Sequence, residues 1–194
     1  PLSPNLSILM VAGVDTVNSG NDSLFGTAAT NPSFQLDAQT TNRFDGRWMQ
    51  TGMGASVSFT GTPNNGPSLY GIVLDDSADK VHGFVDGASA TGTGGSYTTA
   101  PNSPADFGIF RNRGKVQFPD GFVGELIIVP SALSLTDRQK AEGYLAHKWG
   151  LSGNLPSDHP YKSTIPMVTS WDSYFTLAGT HSAGSVAISL SGLT

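Results

Sequence analysis

GFVGELIIVPSALSLTDRQKAEGYLAHKWGLSGNLPSDHPYK, running from Gly121 to Lys162, carries the punctuation that decides the fold. Val123, Leu126, Ile127, Ile128 and Val129 make a β-rich apolar run too short for a globular helix, and Pro130, which cannot donate to a ladder, stops it. Ser134 stands three residues before Asp137, close to a capping box: the serine oxygen can take a free N–H and the carboxylate meets the positive end of the helix dipole. A helix over about 135–149 follows, with Leu135, Ala141, Tyr144, Leu145 and Trp149 recurring at helical spacing on an apolar face expected to pack on the core. Gly150 is placed to end it, since glycine takes the positive φ needed past the last turn without a Cβ penalty. The following LSGNLPSDHPYK has two prolines and no periodicity, and reads as a surface segment anchored by Leu151, Leu155 and Tyr161.

Composition sets outer bounds. The 194 residues suffice for one good core, so a single domain is expected rather than two. Charged residues are only 13%, while glycines number 24 and prolines 12, which favours turns and β-structure over helices. A net charge of -5, with ten scattered Lys and Arg, is unsuited to tracking phosphates, so nucleic acid is not an expected partner. With no cysteine, disulfides and thiolate metal sites are excluded. No apolar run approaches the roughly 20 residues of a membrane span, so no membrane partner is expected either. A start at Pro1 rather than Met reads as a processed or excised chain.

Upstream, the unbroken apolar LSILMVAGVDTV, residues 6–17, suits a central strand covered on both faces. SLFGTA and SFQLDAQ read as paired strands divided by Asn31-Pro32, with Phe34 and Leu36 alternating with Gln35 and Asp37. RWMQTG and ASVSFTG make a second pair. SLYGIVLD and KVHGFVDG make a third, joined by 75–79, and Asp86-Gly87 is a strong turn signal because both residues tolerate positive φ. Residues 88–106 are too polar and glycine-rich for a core element.

The run FVGELIIVPSALSLTDRQKAEGYLAHKWGL with NLPSDHPYK resembles the C-terminal part of laminin-G-like, concanavalin A-like lectin and glucanase domains of the bacterial and phage type. KVHGFVDG and FGIFRNRGKVQFPDGFVGE resemble the approach to it more loosely. The resemblance implies an all-β jelly-roll sandwich of two antiparallel sheets with one short C-terminal helix. Its group includes lectin-like modules, glycanases and structural domains, and fold does not choose among them. Relatives of this kind usually begin with a strand or two before the one LSILMVAG resembles, and often stop near HPYK. This chain continues through Trp171, Tyr174 and Phe175 to an alternating Val186, Ile188 and Leu190. We therefore read a sandwich over 1–166 and a strand-forming tail over 167–194, filling an edge beside LSILMVAG in the same domain or in a neighbouring subunit.

For chemistry the sequence offers little. Glutamate occurs only at Glu125 and Glu142, so the Glu-x-Asp-x-x-Glu motif of glycanases with this fold is missing, and a carboxylate pair could come only from aspartates. Glu125 is read as a structural ion pair or cap, alongside Ser134, Trp149 and Gly150. Asp75, Asp76 and Asp79 read as a solvated turn, with calcium as the alternative and otherwise no cofactor. The four histidines show no metal spacing, and no serine sits in a G-x-S-x-G elbow. No enzyme emerges. For binding, Arg43, Asp45, Arg47 and Trp48 cluster in NRFDGRW, although one regular strand would put the three charges opposite Trp48, which then reads as core. Tyr97 is a second aromatic for a sugar site. The leading expectation is a surface or assembly module, a phage virion protein that decorates a capsid or builds a tail and meets other subunits in a homo-oligomer or larger assembly. A glycan-binding module of a secreted or cell-surface protein is the alternative, and a glycanase using aspartates the third reading.

Overall fold

Leu6–Thr16 (β1) lies at the centre of a six-stranded antiparallel sheet, between Asp120–Val129 (β10) and Pro67–Asp75 (β6). The computed structural model describes residues 5–17, 22–27, 33–39, 43–49, 56–60, 66–78, 80–89, 107–110, 119–166 and 175–178. Beyond β6 the sheet continues through Lys80–Val85 (β7) and Ala88–Ser89 (β8), and beyond β10 through Phe175–Ala178 (β11). A second antiparallel sheet of five strands has the order Ser56–Thr60 (β5), Arg43–Met49 (β4), Ser33–Gln39 (β3), Asp22–Thr27 (β2) and Phe107–Ile109 (β9). Two antiparallel sheets and a single helix among the described residues are the expected fold class.

The apolar run of β1 is continuous because both of its faces are buried. Ile8, Met10, Ala12 and Val14 enter the core between the sheets with Leu24, Phe25, Leu36, Tyr70 and Leu126. Leu9 and Val11 face the other way, into a second core under Leu135–Lys148 (α1), with Leu69, Ile127, Val129, Ala141, Leu145 and Ala146. Leu145 is fully buried, so truncation to alanine there would cost about 2–5 kcal/mol.

The helix starts and stops where its sequence says. The Ser134 hydroxyl oxygen accepts from the Asp137 N–H at 3.2 Å and its O–H donates to Asp137 Oδ2 at 2.8 Å. That hydroxyl, followed by Lys140, holds the Asp137 carboxyl below its ordinary range. Trp149 is the C-cap, and Gly150 follows at φ 72 while the Leu151 N–H reaches back to the Ala146 carbonyl at 2.7 Å. The packed face differs from the expected one. Arg138, Ala141, Glu142, Gly143, Leu145 and Ala146 are buried, whereas Leu135 is 63% and Trp149 36% exposed. Leu135 continues the helical stripe, but its side chain lines an open cavity between α1 and the six-stranded sheet and stays exposed.

Two further corrections concern strands. The strand expected from Arg47 begins at Arg43 and ends at Met49. The edge expected beside β1 is not open, since β10 and β6 flank it; of the tail, β11 pairs with β10, Glu125 opposite Ala178 and Ile128 opposite Phe175, while Trp171, Tyr174 and the alternating Val186, Ile188 and Leu190 lie outside the described residues.

Candidate functional site

The stretch most distinctive in sequence folds into a self-supporting clasp over the six-stranded sheet. Gly124 of β10 lets the Trp149 ring lie on the backbone, where a Cβ would meet ring carbons at 2.9–3.0 Å. Beside it the buried Glu125 carboxylate accepts from Trp149 Nε1 at 2.9 Å and Tyr144 Oη at 3.2 Å, and pairs with Lys148 Nζ at 2.9 Å. The carboxylate holds the Lys148 ammonium above its ordinary range. Further along α1, buried Glu142 takes Arg138 Nη1 on one oxygen and lies 3.2 Å from His159 Nε2 with the other. The Tyr161 N–H donates to His159 Nδ1 at 3.2 Å, which leaves the hydrogen on Nε2 to face Glu142. His147 Nε2 is 2.9 Å from the Tyr161 carbonyl, and Lys162 Nζ donates to the Gly153 carbonyl at 2.8 Å and to that of Leu155. Both glutamates are thus spent on holding the helix and the segment after it to the sheet.

Opposite, on the outside of the five-stranded sheet, lies a polar face. Leu36 and Ala38 of β3 point into the core, so Gln35 and Asp37 belong to the outer side, yet both are buried. Ser23 Oγ donates to Asp37 Oδ1 at 2.5 Å and Gln35 Nε2 to Asp37 Oδ2 at 2.5 Å. A bulge in β2 makes this possible: the register slips between Ser23 and Phe25, turning both Leu24 and Phe25 inward while Ser23 stays opposite Asp37. Gln35 Oε1 is buried without a hydrogen-bond partner among the described residues.

The register carries this face onto β4 and β5. Gln35, Asp37 and Gln39 stand opposite Arg47, Asp45 and Arg43, and these opposite Ser56, Ser58 and Thr60. Pairing is regular throughout β4, so Arg43, Asp45 and Arg47 hold alternate register positions opposite Gln39, Asp37 and Gln35, and Phe44 and Trp48 fall at the positions between. The four residues clustered in sequence are therefore divided between the two alternating sets of register positions. Asp45 opposite Asp37 sets like charges across a strand pair, an unfavourable arrangement unless cations or donors offset it, and Arg43 and Arg47 hold the two diagonal positions. Ser23, Gln35 and Asp37 were not singled out from sequence. The alternation of Gln35 and Asp37 with Phe34 and Leu36 was the available signal.

The remaining candidates are quickly placed. Asp75 Oδ1 accepts from Ser77 Oγ at 2.5 Å and from the Ala78 N–H at 3.2 Å, and Ser77 foremost holds its carboxyl below the ordinary range. The Asp76 N–H is bound by Asn5 Oδ1 at 2.9 Å. Asp79 and Tyr97 lie outside the described residues. No group of three or more His, Asp or Glu among the described residues could hold a metal ion, and no helix among them is long and apolar enough to cross a membrane.

No family model matches the chain, and no curated protein matches its sequence. Solved structures do. The NanB sialidase of Streptococcus pneumoniae, as the K499G mutant, matches with a TM-score of 0.57 and 13% identity over 70% of this chain and 23% of its own. The Trypanosoma rangeli sialidase in complex with the inhibitor DANA matches at 0.53 and 14% identity over 69% of this chain and 22% of its own. The CBM40 of the Ruminococcus gnavus IT-sialidase, bound to α2,3 sialyllactose, matches at 0.57 and 12% identity over 70% of this chain and 80% of that one. The chain thus spans under a quarter of the length of those sialidases and matches most of the isolated module. Identities this low define the fold alone, a β-sandwich.

Proposed function

We propose that this chain is a non-catalytic glycan-binding module of the laminin-G-like, concanavalin A-like kind, working outside the cell or at its surface. The observation that carries this reading is the polar face of β2–β5. A buried carboxylate is braced there by Ser23 and Gln35, an amide oxygen has no partner among the described residues, and Arg43 and Arg47 hold the register positions diagonal to Asp37 in β4. In this reading the buried Asp37 cluster stiffens the strands, and arginines at positions 43 and 47 would supply the planar donors for sugar hydroxyls and carboxylates. The likeness to a module seen with a sialylated trisaccharide supports a glycan over a virion partner, which was the leading expectation from sequence. A division into a sandwich over 1–166 and a tail over 167–194, and assembly with further subunits, belong to the same proposal.

The test is a glycan array followed by calorimetry with neutral oligosaccharides and α2,3-sialyllactose. Arg43→Ala and Arg47→Ala should each weaken the best ligand about tenfold or more. Failure to bind any glycan, or binding unchanged in both variants, would refute the assignment. The facing pair Asp37 and Asp45 favours a second reading, a glycanase, because glycosidases act through two neighbouring carboxylates. Both oxygens of Asp37 already accept hydrogen bonds, which suits bracing the face better than acid–base turnover. Hydrolysis of a bound oligosaccharide that is lost in Asp45→Asn would establish the second reading.

A further inference from the structure

A cavity of about 270 Å³ opens on the outer side of the six-stranded sheet, between the first turns of α1 and the strands β6, β7 and β8. This is the opposite side of the sandwich from the polar face. Its apolar wall is made by Val73, Phe84, Leu133 and Leu135. Leu135 is the residue that helical spacing assigns to the packed stripe, and here its side chain is left 63% exposed at the cavity rim. The polar lining comes from Asp75, His82, Ser89 and Arg138.

Arg138 is held rigidly. Its guanidinium carbon lies 3.7 Å from the centre of the Phe84 ring, Nη1 donates to Glu142, and the residue is only 6% exposed. The donors on Nε and Nη2 have no hydrogen-bond partner among the described residues. Across the cavity Asp75 spends Oδ1 on its own turn, leaving Oδ2 as an acceptor.

This combination points to a definite class of ligand. An anion is disfavoured, because Glu142 already balances Arg138 and Asp75 adds a negative charge. A simple hydrocarbon would leave the guanidinium donors and the carboxylate unpaired. A neutral pyranose satisfies both: its hydroxyl oxygens accept from Arg138, its O–H groups donate to Asp75, and its C–H face covers Leu135. The volume lies just below the roughly 300 Å³ at which small-molecule sites begin, which suits one sugar ring better than a longer chain. We propose that this cavity is a subsite for a neutral monosaccharide unit, independent of the polar face on the other sheet and able to give the module a second point of attachment.

The experiment is a titration of the ¹⁵N-labelled full chain with methyl α-D-mannopyranoside, N-acetylglucosamine and lactose, followed by amide shifts. At least one probe should produce saturable shifts at Gly83, Ser89, Leu135 and Arg138. Leu135→Ser, at an exposed position that leaves the fold intact, and Asp75→Asn should each weaken that probe about tenfold, with the melting temperature measured alongside. Absence of saturable shifts at these amides for all three sugars would overturn the proposal, as would affinities unchanged in both variants. Shifts confined to β3 and β4 would also overturn it while leaving the polar-face assignment standing.

Discussion

Gly143 sits in the middle of α1, where glycine costs about 1 kcal/mol relative to alanine, so on helix propensity alone Gly143→Ala should stabilise the protein. The tertiary structure predicts the opposite. A Cβ at 143 would lie 2.4 Å from Tyr161 Cβ, 2.9 Å from Tyr161 Cγ and 3.3 Å from Pro166 Cδ. The first distance is far inside van der Waals contact and involves an atom fixed to the backbone, so the segment after the helix must lift. Lifting it strains the bonds that hold it, from His147 to the Tyr161 carbonyl and from His159 to Glu142. Overpacking of this kind costs about 1–3 kcal/mol, and more where a buried polar pair is opened. Subtracting the propensity gain leaves a net loss of up to about 2 kcal/mol. Urea unfolding followed by tryptophan fluorescence measures it. In a Tyr161→Gly background the main obstacle is removed, and Gly143→Ala should then become neutral or stabilising by up to about 1 kcal/mol. The reasoning fails if alanine stabilises the otherwise unaltered chain, or if the two substitutions prove additive.

Three further outcomes follow from the same geometry. Glu125→Ala should cost about 2–4 kcal/mol, because it strands the Trp149 and Tyr144 donors; a loss under about 0.5 kcal/mol in urea unfolding would show the clasp to be ornamental. Burial pushes the Asp86 carboxyl above its ordinary range, against the opposing Leu69 N–H and Ser68 bonds, so the stability it contributes is present below the unfolded pKa near 3.9 and lost as pH rises through the raised folded value. Asp86→Asn keeps an acceptor for the Leu69 N–H and tolerates φ 49, and its melting temperature should therefore gain on the unmodified chain as pH rises; a constant difference across that range would contradict this. Chelation should leave the melting temperature unchanged, since Asp75 Oδ1 is held by its own turn and no cluster of three ligating side chains surrounds it among the described residues; a drop reversed by calcium would assign an ion there.

Local rules were sufficient for much of the chain. Pro130 ending a strand, Ser134 capping a helix and Gly150 closing it each depend on residues within a few positions, and the unbroken apolar run of β1 could only mean burial on both faces. Period two likewise spaces Arg43, Asp45 and Arg47 at alternate positions, and the register keeps that alternation. What these rules could not supply was which distant groups meet. Gly143 reads as a poor helix residue until Tyr161 is seen crossing it, and Gly124 as a weak strand residue until Trp149 covers it. Arg138 and Glu142, charged residues on a helix, read as solvent-facing until Phe84 and His159 pack against them. Leu135 fits the apolar stripe by periodicity, yet whether a floor lies beneath it depends on where β6 and β7 pass. The polar face needed register most of all: Ser23, Asp37 and Asp45 form one row only because a bulge in β2 and an unshifted β3–β4 pairing set them side by side, and that alignment is settled by packing across the whole sheet.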